Sequence, residues 1–371
     1  MSEQPPFAEI FGNDPIKRHL TQMVVRNSIG HSLLFAGPEG VGKSLFAEEF
    51  AKMILCRNDP AGSHLYKLNA GMHPDLHIYR PEGKIGMHSL AAMRSLSEEV
   101  YLPPYETDRK VFIIYHADRM LSYSANALLK TFEEPSPETV ILLLSSSPEL
   151  LLPTILSRCS VFRFHALSDE EMISLLMKRE QLSLEHAMQI TNLSQGSVTK
   201  ALRLCQKSED PIRALMIEML TFGKFESYSL LAAKAKQLAE LIEESMKHAE
   251  TTSKEELLKA YCDKPTPTQK EGMEKEIDGI VAMCLMNEAE AFFDILLTWF
   301  RDLHLLKLNG NTKYLYNGDR LEALQKAVKN PVTPLEDLLG AVKATKLSLA
   351  RSTPLHLCLE NLFLRLEMIK T

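Results

Sequence analysis

The eight residues GPEGVGKS, positions 37–44, constrain this chain more than any other stretch, because they run from the apolar segment HSLLFA straight into LFAEEFAKMIL. A glycine, four residues and then Gly-Lys-Ser form a phosphate-binding pattern. Gly37, Gly40 and Gly42 permit the tight turn that aims backbone N–H groups at phosphate oxygens. Lys43 reaches the outer phosphates, and Ser44 offers a hydroxyl to magnesium. The flanks agree. SLLFA predicts a buried strand, and Leu45, Phe46, Phe50 and Ile54 recur at roughly helical spacing, so the loop opens a helix whose N-terminus favours anions.

Strand and helix signals alternate up to about residue 165. DLHIYRP, KVFIIYH, TVILLLSSS and SVFRFHAL predict strands, while SLAAMRSLSEEVYL and YSANALLKTFEEP predict helices. Such alternation is the mark of a mostly parallel sheet covered by helices. Beyond it only helices are predicted, starting at Ser168 with Glu171 as its capping partner. The expected organisation is an α/β nucleotide-binding domain over 1–165, a small helical lid over 166–209 and an all-helical C-terminal domain over 210–371. In that last part Phe292, Ile295, Leu296, Trp299, Leu303 and Leu306 share a stripe, which predicts a core face with Trp299 packed inside it. The polar segment 246–278, with two prolines, predicts a solvated insertion or helix–loop–helix and no site.

With 371 residues, 45% of them hydrophobic and 24% charged, the chain suits two or three soluble globular domains. No apolar run reaches the roughly 18 residues that would span a bilayer, so no membrane association is expected. The start, MSEQPPFAEIF, lacks both a basic opening and an apolar core, which predicts a cytoplasmic protein. A net charge of -6 gives no global attraction to nucleic acid. Cys56, Cys159, Cys205, Cys262, Cys284 and Cys358 form no close pairs and are expected to be reduced.

Hydrolysis of a nucleotide on such a loop also needs an acidic pair at the tip of a later strand, one carboxylate for the magnesium shell and one for the attacking water. The strand that should supply them is KVFIIYHADRM, and its tip holds Tyr115 and His116. A neutral phenol is no ligand for a hard cation, and imidazole prefers softer metals, so magnesium loses its anchor. Asp118 lies three positions beyond Tyr115 and could reach the ion only through a water; His116 could serve as a general base only with a partner that the sequence does not identify. Cys159 reads as a small packed residue rather than a nucleophile.

The phosphate loop, NALLKTFEEPSPETVILLLSS and TILSRC together resemble the clamp-loader branch of the AAA+ ATPases. Within that branch YHADRM in place of an acidic pair, with LLTWFRDLHLLK and ENLFLRLE near the C-terminus, is similar to a noncatalytic subunit of the bacterial DNA polymerase III clamp loader. The resemblance is strong over 31–165 and patchier beyond 210. It implies an AAA+ domain with a lid and a collar-forming helical domain. It also implies that Arg158, in Ser-Arg-Cys, acts as an arginine finger in a neighbouring subunit's nucleotide site, where an always-charged fork of donors stabilises a phosphoryl group. The implied partners are the other subunits of a hetero-pentamer, the sliding clamp and, through the complex, primed DNA.

Two departures from the family pattern stand out. Related loaders carry four closely spaced cysteines after the loop's helix. Here Cys56 remains, with His64, His73 and His77 nearby, and HPDLHIYRP reads as the entry into a strand, whose successive residues point to different faces, so zinc is not expected. The lid sequence GSVTKAL has Thr199 where active loaders show an arginine for the outer phosphate, and Lys200 would face another way. The expectation is weak ATP or ADP binding, doubtful magnesium and little or no ATPase activity. The competing reading is an active ATPase subunit of the gamma or tau type, which intact acids at 115 and 116 would have favoured.

Overall fold

A computed structural model describes residues 6–59, 62–206, 210–260, 267–351 and 353–369. The α/β part runs α1 (Asp14–Val25), β1 (Ser32–Ala36), α2 (Lys43–Leu55), α3 (Ser63–Asn69), β2 (Leu76–Tyr79), α4 (Leu90–Glu99), β3 (Lys110–Ile114), α5 (Ser122–Asn126), α6 (Leu129–Glu133), β4 (Thr139–Ser145), α7 (Pro153–Leu156) and β5 (Ser160–Arg163). The strands form one parallel sheet in the order β2-β3-β4-β1-β5. β1, β3 and β4 lie inside it, and every one of their residues is buried, which is why they read as continuous apolar runs. Along β1 the faces alternate: Leu33 and Phe35 join a core with Phe46 and Phe50 of α2, whereas Leu34 and Ala36 join Met93, Leu96 and Phe132 on the other side.

YSANALLKTFEEP, expected as one helix, is split into α5 and α6. The N–H groups of Ala127 and Leu128 bond three residues back, to Ser124 and Ala125, a tightened turn between the two helices, while Ala125, Leu128 and Phe132 keep the helical spacing of one buried face. Leu45 is exposed, so the buried face of α2 runs through Phe46, Phe50 and Ile54 without it.

The helices continue as α8 (Asp169–Arg179), α9 (Leu184–Ser194), α10 (Val198–Gln206), α11 (Pro211–Phe222), α12 (Tyr228–Ala260), α13 (Pro267–Lys307), α14 (Leu321–Ala327), α15 (Leu335–Ala350) and α16 (Leu355–Arg365). Ser168 and Glu171 make the full capping box at the start of α8, each side chain bonded to the other's backbone N–H.

Contacts divide the chain into two compact units. The first comprises Met1–Ala187, Ser194–Leu202 and Lys254–Gly279, and the second Met188–Leu193, Arg203–Ser253 and Ile280–Thr371. The parallel sheet lies in the first. Part of α13 belongs there too: the Gly83 N–H donates to the Lys275 carbonyl at 2.8 Å, and Met273 and Ile277 are buried. A Cβ on Gly279 would lie 2.1 Å from the Pro81 carbonyl oxygen, so only glycine permits that approach. The polar segment 246–278 therefore consists of the end of α12 and the start of α13, with residues 261–266 outside the described ones. The second unit is built on a helical core in which Phe292, Leu296, Trp299 and Leu303 of the expected stripe are buried and Ile295 and Leu306 pack at its margin. No helix among the described residues is long and apolar enough to cross a membrane.

Candidate nucleotide site

The glycine-rich loop leaves β1 between β4 and β5. Gly40 and Gly42 have φ of 77° and 94°, the left-handed region that side chains resist, and the loop can turn there only because both are glycine. The Gly37 N–H donates to the Ser145 carbonyl at 3.2 Å. Lys43 opens α2 with its ammonium folded onto the loop, donating to the carbonyls of Gly37 at 2.7 Å and Pro38 at 2.6 Å. Burial pulls its pKa down to about 8, against the raising influence of Glu39 and Asp118. Ser44 follows, half-buried in the first turn of α2.

The start of α10 rests on this loop. The N–H groups of Val198 and Thr199, which open α10, donate to the Gly40 carbonyl at 2.9 and 3.3 Å. α10 thus meets the loop through the backbone of Thr199, the residue that stands where an arginine is expected in active loaders.

At the tip of β3 the structure explains what Tyr115 does in place of an acid. Its ring is buried, and its hydroxyl donates to the Glu48 carboxylate on α2 at 2.5 Å. The Arg80 guanidinium lies 4.2 Å over the same ring. Burial, and then the Glu48 charge, push the phenol far above its ordinary range, so it stays a neutral donor. His116 sits in the left-handed region with φ 48°, and burial first of all lowers its pKa, which keeps it neutral near pH 7. Asp118, on the turn Ala117–Arg119, accepts from the Ser145 hydroxyl at 2.6 Å and the Ser146 N–H at 3.2 Å, both at the end of β4. Glu48, which the sequence does not single out, and Asp118, expected to reach an ion only through a water, each already hold protein donors.

Arg158 follows α7 and is 36% exposed. Its Nη2 donates to Glu133 Oε1 at 2.9 Å, and its Nη1 to the Thr154 carbonyl at 3.0 Å and the Ser157 hydroxyl at 3.4 Å. None of these partners belongs to the phosphate loop. Cys159 beside it is packed at the edge of a core, and burial pushes its thiol up to about 12, far from the reactive thiolate.

The histidines after α2 separate because His73 lies before β2 and His77 within it, not through alternation along one strand, in which positions four apart share a face. His77, on β2, stacks on Phe112 with centroids 4.6 Å apart. His73 is buried and turned the other way, with Nε2 3.0 Å from His64 Nδ1; these two and Glu106 bring their ligand atoms within 4.8 Å of one another. Glu106 is an unforeseen member, and Cys56 is not in the group. The bonding fixes a tautomer. His73 Nδ1 accepts the Asp75 N–H at 3.1 Å, so the proton of the neutral ring lies on Nε2 and is donated to His64. A metal on Nε2 would move that proton to Nδ1, where it would face another donor, the reverse of the usual arrangement around a ligating histidine. Lys67 meanwhile holds Glu106 through both oxygens, at 2.5 and 2.7 Å. The set does not fit zinc as it stands.

Comparison with known proteins bears on this region. Residues 12–168 match the family described as "DNA polymerase III, delta subunit". The chain is 31% identical over 199 residues to the DNA polymerase III subunit delta' of Bacillus subtilis, covering 52% of this chain and 59% of that one. It is 38% identical over 145 residues to the delta' subunit of Pseudomonas aeruginosa, covering 38% and 44%. It is 28% identical over 214 residues to the tau subunit of Bacillus subtilis, covering 54% and 37%. The chain spans about half the length of the curated relatives it matches. Among solved structures, the Thermotoga maritima RuvB branch migration motor aligns with a TM-score of 0.41 at 18% identity, over 57% of this chain and 65% of that one. It is through residues 12–168, the stretch that carries the phosphate loop, Tyr115, His116 and Arg158, that this chain is similar to the DNA polymerase III delta-prime subunits.

Proposed function

We propose that this chain is a noncatalytic AAA+ subunit of the DNA polymerase III clamp loader, working in the cytoplasm as one member of a hetero-pentamer. Its contribution to ATP turnover is Arg158, presented to a neighbouring subunit's nucleotide during loading of the sliding clamp onto primed DNA. The observation that carries this reading is Tyr115: at the strand tip where a hydrolysing site needs an acid, a neutral phenol donates to Glu48. Glu48 is so engaged and Asp118 is held by Ser145 and Ser146, so both carboxylates around the strand tip already hold protein donors beside the Ser44 hydroxyl, and no hydrolytic step is assigned to this chain. ATP or ADP would be held weakly by backbone N–H groups of Gly40 and Gly42, by Lys43 and by Ser44. Zinc has no part in the proposal.

The test is phosphate release by the purified chain with magnesium and ATP, beside its Lys43→Ala form, followed by the same assay on the reconstituted loader with parent or Arg158→Ala. Negligible turnover by the chain alone and reduced, clamp-stimulated turnover in the Arg158→Ala complex are expected. A dominant arginine finger is worth about 10³ to 10⁵ in rate, and less here because other sites in the assembly continue to turn over. Robust turnover by the isolated chain that Lys43→Ala abolishes would favour the active-ATPase reading and return Asp118 or His116 to a catalytic role.

A further inference from the structure

We infer that Glu133 is a positioning residue for Arg158, an inference that rests on Arg158 acting in a neighbour's site. Long arginine side chains on a surface sample many rotamers, and a finger that must meet a phosphoryl group from across an interface gains from being aimed beforehand. Here the guanidinium is held on one side. Nη1 is anchored by the Thr154 carbonyl and the Ser157 hydroxyl, Nη2 is drawn by Glu133, and among the described residues Nε takes no partner. The Thr154 and Ser157 anchors come from the same turn as Arg158 and move with it. Glu133 does not: it ends α6, a separate element 25 positions earlier in the chain, so it references the arginine to the body of the sheet domain.

Both side chains are substantially exposed, 36% for Arg158 and 50% for Glu133. An ion pair of that kind is weak and salt-screened, which suits a guide that must let the arginine exchange one anionic partner for another. A buried pair would hold it in place.

The experiment uses the reconstituted loader with parent, Arg158→Ala, Glu133→Gln or Glu133→Ala chains. ATP turnover is followed as kcat and KM at low and high salt, and the mass of each complex is measured. Arg158→Ala must lower turnover; if it does not, the finger reading falls and this inference falls with it. Given that fall, Glu133→Ala should enter the complex normally and lower kcat by about two- to fivefold, the range open to an exposed ion pair. KM for ATP should not change. Glu133→Gln, which keeps an acceptor oxygen, should be intermediate, and its gap from the parent should shrink at high salt. If Arg158→Ala is impaired while both Glu133 variants match the parent, the positioning role is refuted and the finger survives. Raised turnover would make Glu133 a restraint instead of a guide, and failure to assemble would make it an interface residue; either result overturns the inference.

Discussion

Replacing Asp75 by asparagine removes one charge and no volume, and the structure allows its cost to be worked out. Asp75 is fully buried just before β2, where Oδ1 accepts the Tyr105 N–H at 2.6 Å. Oδ2 accepts the Glu106 N–H at 2.8 Å, the Thr107 N–H at 2.9 Å and the Thr107 hydroxyl at 3.0 Å. An asparagine can present oxygen to only one of these sides. With its oxygen toward Glu106 and Thr107, its NH₂ opposes the Tyr105 N–H and leaves that donor without an acceptor, at a cost of about 1–3 kcal/mol. The three remaining bonds fall from charge-assisted to neutral, about 1 kcal/mol each. Relief of carboxylate desolvation and non-additivity reduce the sum, so about 2–4 kcal/mol of local stability should be lost. Amide hydrogen exchange at Tyr105, Glu106 and Thr107 reads this directly, without requiring the whole chain to unfold in one step.

The pH dependence has a definite sign. Burial alone would raise the Asp75 carboxyl, but the bonds from Tyr105, Glu106 and Thr107 outweigh it and hold the pKa below the usual carboxylate value. A depressed acid contributes stability that is present above its unfolded pKa, about 3.9, and is lost as pH falls through the folded value. The gap between parent and Asp75→Asn should therefore stay constant from pH 7 to 5 and begin to close only below about 4. A gap under about 1 kcal/mol at pH 7, or one that narrows between pH 7 and 5, would refute the reasoning.

Two further expectations concern the loop and the helix packed on residues 81–83. Since burial lowers Lys43 to about 8, ADP affinity measured by calorimetry should fall by up to roughly tenfold from pH 7 to 9 as the ammonium is lost, and Lys43→Arg should flatten the profile. A parent profile that is already flat would show that Lys43 does not meet the phosphates. Gly279→Ala gains about 1 kcal/mol in intrinsic helix propensity, yet its Cβ would meet the Pro81 backbone; faster exchange of the Gly83 amide is expected. Gly272→Ala, where the added carbon meets nothing within 4 Å, is the control, and equal Gly83 protection in both variants would refute the packing argument.

What could be read from the sequence was local. The phosphate loop announced itself because its glycines, lysine and flanking periodicities all lie within residues 32–54, and β1, β3 and β4 because strands buried on both faces are apolar throughout. Ser168 and Glu171 were legible as a cap because a capping box has fixed spacing. The chemistry around Tyr115 was half legible. Its being no acid could be seen, but its bond to Glu48 depends on how α2 crosses β3, which no spacing encodes. Arg158 with Glu133, Asp75 with the loop 105–107 and His64 with Glu106 are likewise tertiary meetings. The break between α5 and α6 escaped because NALLK has good helix propensity and contains no residue that interrupts a helix.

The sheet order has a consequence for how the chain acquires its loop. β1 pairs with nothing near it in sequence: Ser32 finds Ile141 on β4 and Leu33 finds Ser160 on β5, contacts that close loops of about 110 and 130 residues. During synthesis at the usual 5–20 residues per second, the strand that carries GPEGVGKS therefore waits roughly 5–25 s before both its neighbours exist. Until β4 emerges SLLFA is an apolar ribbon with both edges open, and until β5 follows one edge stays open, the kind of segment that chaperones shield and that aggregates when they do not. Truncation between β4 and β5 would leave its β5-facing edge open permanently, so fragments ending near residue 150 should be recovered as insoluble protein even though they contain the entire phosphate loop.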